Sequence, residues 1–577
     1  MKRASILFSS LIFTVFAAAQ DWPQWGLNQQ HQSQVFFPGQ ALNRNIVDIV
    51  YDPLVPDEMA AVQQAFGDAD LLAHYQAPLV DGNDVYMIFK SGKYSKTSYA
   101  TQNWAENKLS WSGGTLVQAW SFPSDWKAPG NQNDFWEPVF HPALANGALY
   151  VPGAGGSIWK VNTSTGAGTR INPFVGIDPN TYTSSPISVD SAGNVYYTVV
   201  QLQPSGDFYQ KDAVDSWLVK VTPAGAISRV SYSVITAGAP AATAQCANAF
   251  SDEATLPWPP SPTAVAPTIT CGSQRAPLNV APAIAPDGTI IVASRAHFLS
   301  RETFLVAVNP NLTQKWIASL RNRFDDGCGV ALNKGGQLPP NGAPGGCRAG
   351  ANLGVDPATN TLGGGRILDD SSASPTIAPD GSIYFGAYSR YNYAQGHLMR
   401  FSANGAYLGA YLFGWDVTPG IYSHDGTYSV VTKDNHYGDV GSYCNVDAIC
   451  PPDRTASFPS YPEAYFVTQL NKNFKVEWTY QNTNTLSCSR DANGNVTCVS
   501  DHPAGFEWCV NAFVIDSNGV VYANSEDGFL HALNQGGTLR QKIFQQLALG
   551  AAYTPTSIDS TGRIYSQNAG HLFVAGN

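Results

Sequence analysis

Charged side chains are scarce in this sequence, and several common functional motifs are missing. Only 13% of the 577 residues are charged, and 43 acidic against 32 basic residues give a formal net charge of -11. The missing basic excess argues against general nucleic-acid binding and against adhesion to anionic lipid. No GxSxG elbow, P-loop, CxxC pair or CxxCH haem-attachment motif occurs. The motif-bearing hydrolases, nucleotide-binding enzymes and haem proteins are therefore not indicated.

Long apolar runs are also missing beyond the N-terminus, so no membrane span is predicted. The first residues have the order of a secretory signal: Lys2 and Arg3, an apolar stretch over residues 4–16, and Ala17-Ala18-Ala19. No cysteine follows the apolar stretch, so the sequence offers no bacterial lipid anchor. We expect a signal peptide over residues 1–19 and a secreted or periplasmic mature protein.

The nine cysteines fit an oxidising compartment. No zinc-type spacing occurs among them. Sequence alone leaves their connectivity open, but pairing of neighbours would give four disulfides and one leftover cysteine. The pairs would be Cys246–Cys271, Cys328–Cys347, Cys444–Cys450 and Cys488–Cys498. Cys509 is left over, either free or paired between chains.

What the chain has in abundance is one repeated hairpin, for which SPTIAPDGSIYFGAYS (374–389) is a clear example. Strands of β-branched and aromatic residues flank a turn whose glycine can adopt a positive φ. Related stretches begin near residues 77, 141, 184, 281, 372, 423, 511 and 554. Most continue into a second strand pair, which predicts four antiparallel strands per unit.

A four-stranded unit repeated radially is a propeller blade. We therefore predict an all-β protein, a single domain over residues 20–577, with eight blades. Seven blades remain the alternative if the degenerate unit near residue 423 is an insertion. The last unit ends after about three strands, and residues 43–51 could supply its outer strand and close the ring.

The stretch DWPQWGLNQQHQS (21–33) followed by these repeats resembles the pyrroloquinoline-quinone-like, or quinoprotein, β-propeller superfamily. The resemblance spans nearly all of the mature chain and implies the fold rather than one function. The superfamily includes quinone-dependent alcohol and sugar dehydrogenases. It also includes outer-membrane assembly lipoproteins that carry no cofactor.

The turns within strand pairs are short and should share one face, a plain base. The remaining links should lie on the other face, and every cysteine falls in one of them. Long loops on a rigid scaffold often carry function, so a ligand or partner site is expected on this cap face; a cap that only shields the protein is the alternative. The long links are 91–114, 123–140, 201–216, 235–280, 321–371, 434–464 and 483–510.

Segments that precede the inner strands should converge on the channel mouth. Arginines there could pair with the carboxylates of a planar anionic ligand, and tryptophan could stack on it. Asp369 and Asp370 could bind Ca²⁺ through oxygen. The cofactor-binding candidates are Trp136, Glu137, Arg275, Arg366, Asp369, Asp370, Glu507 and Trp508. The other members of the ring are His74, Tyr182, His424, Asp425 and Tyr553. Turn capping and packing between blades would explain the same residues without a ligand.

A second small cluster, Asp434, His436 and Asp439, matches no known metal spacing, and a solvated loop explains it equally. Quinoprotein alcohol dehydrogenases carry a disulfide between adjacent cysteines, and no two cysteines are adjacent here. The sequence therefore favours a binding or scaffold protein whose cap face takes a carbohydrate, protein or small molecule. The alternative is an oxidoreductase for alcohols or sugars that uses pyrroloquinoline quinone and calcium. No catalytic residue is assigned, and a monomer is expected.

Overall fold

The computed structural model describes residues 22–95, 99–129, 136–204, 208–247, 268–324, 331–332, 336–337, 361–363, 365–388, 396–412, 414–436, 464–491, 494–550 and 553–577. The signal-peptide prediction for residues 1–19 lies outside these ranges, as do Asp439 and the predicted cystine pairs Cys328–Cys347 and Cys444–Cys450.

The protein is nearly all β and forms eight four-stranded antiparallel blades, as predicted. Blade 1 consists of Leu79–Asp81, Asp84–Gly92, Gln102–Ser112 and Thr115–Ser124, and blade 2 of Ala143–Ala145, Ala148–Pro152, Ile158–Asn162 and Gly168–Ile171. Blade 3 consists of Thr181–Thr183 with Ser188–Val189, Val195–Gln201, Asp215–Val221 and Ile227–Ser231. Blade 4 consists of Gln274–Arg275 with Ala283–Ile284, Ile290–Ala296, Thr303–Val308 and Gln314–Ser319.

Blades 5 to 8 continue the same pattern, and the unit near residue 423 is a complete blade. Blade 5 consists of Thr376–Ile377, Ile383–Tyr388, Gly396–Phe401 and Tyr407–Leu412, and blade 6 of Gly420–His424, Thr427–His436, Ala464–Asn471 and Val476–Gln481. Blade 7 consists of Val514–Ile515, Val521–Asn524, Phe529–Asn534 and Thr538–Phe544, and blade 8 of Ser557–Ile558, Ile564–Asn568, His571–Gly576 and Arg44–Val50.

The two ends of the described chain meet in blade 8. Arg44–Val50 pairs antiparallel with His571–Gly576, so an early strand completes a sheet made of late ones. First strands of neighbouring blades contact each other, including those of blades 8 and 1. The ring therefore closes without leaving blade 8 a strand short.

Elements outside the blades are few among the described residues. A helix, Val55–Phe66, packs beside blade 1, and short helices occupy Ala154–Gly156 and Tyr232–Ile235. Three two-stranded ribbons also occur: Gln245–Ala247 with Thr268–Thr270, Ala331–Leu332 with Gly336–Gln337, and Leu486–Arg490 with Val496–Ser500. Among the described residues, neither Val55–Phe66 nor Tyr232–Ile235, the two α-helices, has the length and apolar character needed to cross a bilayer.

Two of the predicted disulfides lie within the described residues, and both form. They are Cys246–Cys271, in the link between blades 3 and 4, and Cys488–Cys498, which staples the ribbon between blades 6 and 7. Cys509 is a buried free thiol. The predicted long link 91–114 is wrong in extent, because Gln102–Ser112 within it is the third strand of blade 1.

The turn end of the channel is not the plain base that the sequence suggested. Residues 22–35, here called the crossing segment, run across it and bond to the inner strands. Trp22 and Val80 of blade 1 exchange backbone hydrogen bonds of 3.0 and 2.9 Å. Five further carbonyls of the crossing segment accept hydrogen bonds from backbone amides of the inner strands. The carbonyl–amide pairs are Pro23–Leu144 in blade 2, Gln29–Ile284 in blade 4, Gln30–Ile377 in blade 5, Gln32–Ile421 in blade 6 and Ser33–Ile515 in blade 7.

Blade 3 is reached by a side chain rather than by the backbone. The carboxamide of Gln24 donates to the carbonyl of Val189 at 3.0 Å and accepts from its amide at 2.7 Å. Backbone polar groups at this end of the ring thus find partners without water. The crossing segment joins seven of the eight blades at equivalent positions.

Buried aromatic side chains fix the crossing segment inside the channel. The indole of Trp25 donates to the Thr418 hydroxyl at 2.9 Å and meets the His141 ring edge-on at 5.3 Å. His31 is fully buried, with Nδ1 2.8 Å from the carbonyl of Pro375. Burial lowers the pKa of His31 to about 4, so this ring is neutral at pH 7.

We expect Trp25→Ala to lower the free energy of unfolding by about 3–5 kcal/mol, the usual cost of emptying a tryptophan-sized core site. Denaturant unfolding measures this change. Phe36→Ala is the matched control, because Phe36 follows the same segment and is 76% exposed. The control should change stability by less than about 0.5 kcal/mol. An equal loss of unfolding free energy in both variants would contradict the conclusion that the buried Trp25 side chain stabilises the fold.

Candidate functional site at the cap end of the channel

The segments that precede the inner strands do meet at the cap end of the channel. Ala73 forms a parallel β-bridge with Glu137, and His74 forms one with Tyr553. The segments before blades 1, 2 and 8 therefore pair through their backbones like short parallel strands. The amides of His74 and Tyr75 donate to the carbonyls of Glu137 and Tyr553 at 3.1 and 3.0 Å. Backbone pairing, which leaves no side-chain pattern in the sequence, therefore sets the geometry of the mouth.

His74 links these segments to the opposite side of the ring. Its Nδ1 lies 3.0 Å from the carbonyl of Glu137, and its Nε2 lies 3.0 Å from the carbonyl of Asp370, which precedes blade 5. The ring stacks on Tyr553 at 4.6 Å, and Trp136 stacks on Tyr553 at 5.5 Å. Burial lowers the pKa of His74 to about 4, so the neutral ring donates to only one of the two carbonyls.

Asp369 and Arg275 come together, but they bind each other. Two guanidinium nitrogens of Arg275 approach the carboxylate at 2.8 and 2.5 Å, and Arg295 adds a third contact at 3.0 Å. Tyr209 donates to the same carboxylate at 2.5 Å, and the amide of Leu278 donates at 3.1 Å. Both oxygens of Asp369 are therefore used within the protein.

This cluster holds two guanidinium groups and one carboxylate, all of them buried. Burial by itself raises the pKa of the Asp369 carboxyl, but the guanidinium groups of Arg275 and Arg295 outweigh it and hold that pKa well below its usual range. The Nε of Arg275 donates to Nδ1 of His297 at 2.9 Å, which requires a neutral imidazole. Burial and the adjacent Arg275 lower the pKa of His297 to about 3.

Glu137 belongs to a second buried cluster, centred on Lys90. The ammonium of Lys90 lies 2.9 Å from Asp52, 2.7 Å from Glu58 and 2.8 Å from Glu137. One cation thus serves three carboxylates, which join blade 1 to the helix Val55–Phe66 and to the segment before blade 2. Burial raises the pKa of Glu58 to about 8, so a proton is held here near neutral pH.

A third cluster was missed from the sequence. Asp416 accepts a hydrogen bond from the Tyr553 hydroxyl and one from the amide of Ser372 at 3.0 Å. The ammonium of Lys433 lies 3.7 Å from Asp416 and 4.8 Å from the centre of the Tyr553 ring. Asp416 and Lys433 were not among the residues that the sequence predicted at the channel mouth.

The third cluster borders a very small cavity. Its volume is about 10 Å³, and Gly414, Trp415, Asp416, Lys433 and Asn435 line it. A space of that size holds about one water molecule. It could supply water to the cluster, but it is far too small for a tricyclic quinone.

The remaining candidates lie apart from one another. Trp508 is fully buried and packs edge-on against His531 at 5.0 Å. The Glu507 carboxylate lies 3.5 Å from the amide of Asn435. Arg366 exchanges backbone hydrogen bonds with Tyr388 and places its guanidinium 5.6 Å from that ring.

Three members of the predicted ring are away from the cap-end clusters. His424 ends the first strand of blade 6 and Asp425 lies in the following turn, so both are on the turn face rather than at the mouth. The prediction that they converge on the mouth is wrong, because the first strand of blade 6 already begins at Gly420 and ends at His424. Tyr182 pairs with Val200 along blade 3.

Two of the three residues of the candidate metal cluster, Asp434 and His436, lie within the described ranges. His436 Nε2 lies 2.6 Å from the Asp434 carboxylate, which also accepts from the Tyr411 hydroxyl at 2.8 Å. Among the described residues, no three His, Cys, Asp or Glu side chains lie close enough together to hold a metal ion. The Asp434–His436 pair is accounted for as an interaction within blades 5 and 6.

Three of the predicted cofactor ligands, Asp369, Glu137 and Arg275, do not fit a quinone held with calcium. Asp369 is bound by two arginines and Glu137 by Lys90, so neither carboxylate is free to ligate Ca²⁺. Arg275, the expected partner of a ligand carboxylate, is fully buried on Asp369. These residues support no reaction step through either group.

No protein-family model matches the chain, and no curated protein matches its sequence. Similar solved structures include a quinohemoprotein alcohol dehydrogenase from Comamonas testosteroni, at 11% identity, covering 97% of this chain and 81% of that one, with a TM-score of 0.49. A europium-containing methanol dehydrogenase matches at 10% identity over 95% and 89%, with a TM-score of 0.47. BamB from Moraxella catarrhalis matches at 11% over 92% and 99%, with a TM-score of 0.39.

A quinohemoprotein alcohol dehydrogenase and a methanol dehydrogenase thus stand among the similar structures. At these identities and scores, the likenesses carry no argument about activity. The evidence for the fold is the set of eight sheets itself.

We expect Asp369→Asn to cost about 3–5 kcal/mol at pH 7, because it leaves two buried guanidinium groups without their counter-charge. The lowered pKa of Asp369 makes its contribution fully present above the unfolded value, near 3.9, and lost as pH falls below it. The stability gap between wild type and variant should therefore narrow from pH 7 to pH 2. Denaturant unfolding across this range measures the gap.

Asp425→Asn is the matched control for Asp369→Asn, because the Asp425 side chain is 95% exposed. It should leave the free energy of unfolding nearly unchanged at every pH. A gap between wild type and Asp369→Asn that stays constant down to pH 2 would contradict the assigned charge pairing.

Proposed function

We propose that this protein is an exported binding scaffold that recognises a partner through its cap face. The signal-like pattern over residues 1–19 and the two cystines support export, because disulfides persist in oxidising compartments. Both cystines are in links between blades, on the face opposite the short turns. Loops braced by disulfides can present a surface of fixed shape. Binding then costs little conformational entropy, because the loops are already ordered.

One observation carries the choice of binding over catalysis. The charged groups that the sequence offered for a cofactor are engaged within the protein: Asp369 binds two arginines, and Glu137 binds Lys90. Asp416, which the sequence did not offer, pairs with Lys433. Buried pairs of this kind hold segments of chain together and leave no poised acid or base facing a substrate-sized space. The described cap end therefore supports a structural role for its charges.

The ribbon Leu486–Arg490 with Val496–Ser500, here called the stapled ribbon, is the best-defined part of the cap surface. Leu486, Val496 and Val499 are 40%, 44% and 65% exposed, although all three are apolar. Val499 lies on the opposite face of the ribbon from Leu486 and Val496. Exposed apolar side chains on both faces of a disulfide-braced ribbon favour a protein partner over a carbohydrate or a small molecule.

Thermal unfolding tests the choice against the oxidoreductase alternative. We expect the same midpoint for the protein alone, with CaCl₂, and with CaCl₂ plus pyrroloquinoline quinone. A ligand of the folded state at about 100 times its Kd would add about 2.7 kcal/mol of stability and raise the midpoint. A rise that requires both additions would overturn the binding-only proposal and make dye-linked oxidation of alcohols and sugars the next assay.

Photo-crosslinking tests the cap surface directly. We expect Val499→p-benzoylphenylalanine to yield a covalent adduct with a second protein in the native exported setting. Val117→p-benzoylphenylalanine is the control, because Val117 is 51% exposed on the outer strand of blade 1, away from the stapled ribbon. Adducts at both positions, or at neither, would contradict recognition through the stapled ribbon.

A further inference from the structure

A cavity of about 790 Å³ opens at the turn end of the channel, opposite the cap. It lies between the crossing segment and the inner hairpins of blades 1, 2 and 3. Small-molecule sites usually span about 300–1,000 Å³, so the cavity has the size of a ligand pocket. None of the three charge clusters described above contributes to its wall.

The lower wall of the cavity is aliphatic. Leu27, Val80, Leu144 and Val189 lie along it. The first two and Val189 are 1%, 0% and 6% exposed, so the half-buried Leu144 presents most of the aliphatic surface. No lysine, arginine or histidine is among the lining residues, so nothing in the wall would balance an anionic ligand. The cavity also has no aromatic side chain among its lining residues, which leaves aliphatic contact as its apolar component.

Polar groups with unused hydrogen-bonding capacity surround this aliphatic surface. The side chains of Asp81, Gln30 and Asn146 make no hydrogen bond to any described part of the protein. The Oε1 of Gln29 accepts from the amide of Ser191 at 2.5 Å, which leaves the Nε2 of Gln29 as a donor toward the cavity. The wall thus offers a carboxylate and three carboxamides.

The second carboxylate in the wall, Asp190, has both oxygens occupied by neutral donors, which use its hydrogen-bonding capacity but do not cancel its charge. Its Oδ1 accepts from the amides of Ala192 and Asn194 at 3.0 and 2.9 Å. Its Oδ2 accepts from the Asn194 side chain at 2.8 Å and from the Tyr196 hydroxyl at 2.9 Å. Asp81 and the three carboxamides remain as hydrogen-bonding partners for a ligand, and a cation is the alternative ligand that the test must separate.

We propose that this turn-end cavity binds a neutral, hydroxyl-rich ligand of the mono- or disaccharide class. Hydroxyl groups both donate and accept, as the amides and Asp81 require, and the C–H faces of a sugar ring suit the aliphatic wall. The site lies on the opposite face from the stapled ribbon, so it is independent of the partner surface proposed there.

Isothermal titration calorimetry with glucose, galactose, mannose, N-acetylglucosamine, maltose and trehalose tests the proposal on the full mature chain. At least one of these sugars should bind saturably. Asp81→Ala and Gln29→Ala should each weaken that binding about threefold to tenfold, the range expected for one lost hydrogen bond. Asn83→Ala is the matched control, because Asn83 is exposed on the same turn as Asp81 and does not line the cavity.

Thermal midpoints of the unliganded variants separate a binding defect from misfolding, and all three substitutions are at exposed or half-buried positions. Val499→Asp on the stapled ribbon should leave sugar binding unchanged. Failure of every sugar to bind at millimolar concentration would overturn the proposal. Tighter binding of spermidine than of any sugar, lost in Asp81→Ala, would overturn it in favour of a cation site.

Discussion

The hole at the centre of a closed ring of sheets is the constraint on which this structure depends. Eight blades cannot bring their inner strands into mutual contact across the axis, and an empty channel would forfeit dispersion contacts and leave backbone groups unpaired. The crossing segment fills the turn end, where one stretch of fourteen residues bonds to seven blades. Cap segments around His74 and Tyr553 fill the other end.

Filling the cap end with chain also explains why so much charge is buried there. Segments from opposite sides of the ring meet in a region with little water, and buried ionic groups persist only when they are paired and hydrogen-bonded. Asp369 therefore takes both arginines within reach, and Lys90 serves three carboxylates. Residue types suited to catalysis are present, but their partners are other parts of the same chain.

The sequence predicted what is local and repeated, and missed what is long-range. Hairpins recur because each turn carries its own signal, as in Asp380-Gly381, where the glycine has a φ of 80°. Nothing in DWPQWGLNQQHQS indicates that its carbonyls align with inner strands up to about five hundred residues away, because backbone pairing leaves no side-chain pattern. Arg275 and Asp369 are likewise 94 residues apart, so proximity to the channel was predictable but their mutual bond was not.

The two faces differ in what their polar groups have left to bind. At the cap end, the carboxylates of Asp369 and Glu137 are bound by buried cations, which is why the proposed partner surface is the stapled ribbon. At the turn end, the crossing segment bonds to blade 3 through a side chain rather than its backbone, and the chain turns away over residues 25–28 before reaching blade 4. That detour leaves both the cavity and its unpaired amides. The crossing segment, which fills the turn end of the channel, thereby creates a concave polar surface beside it.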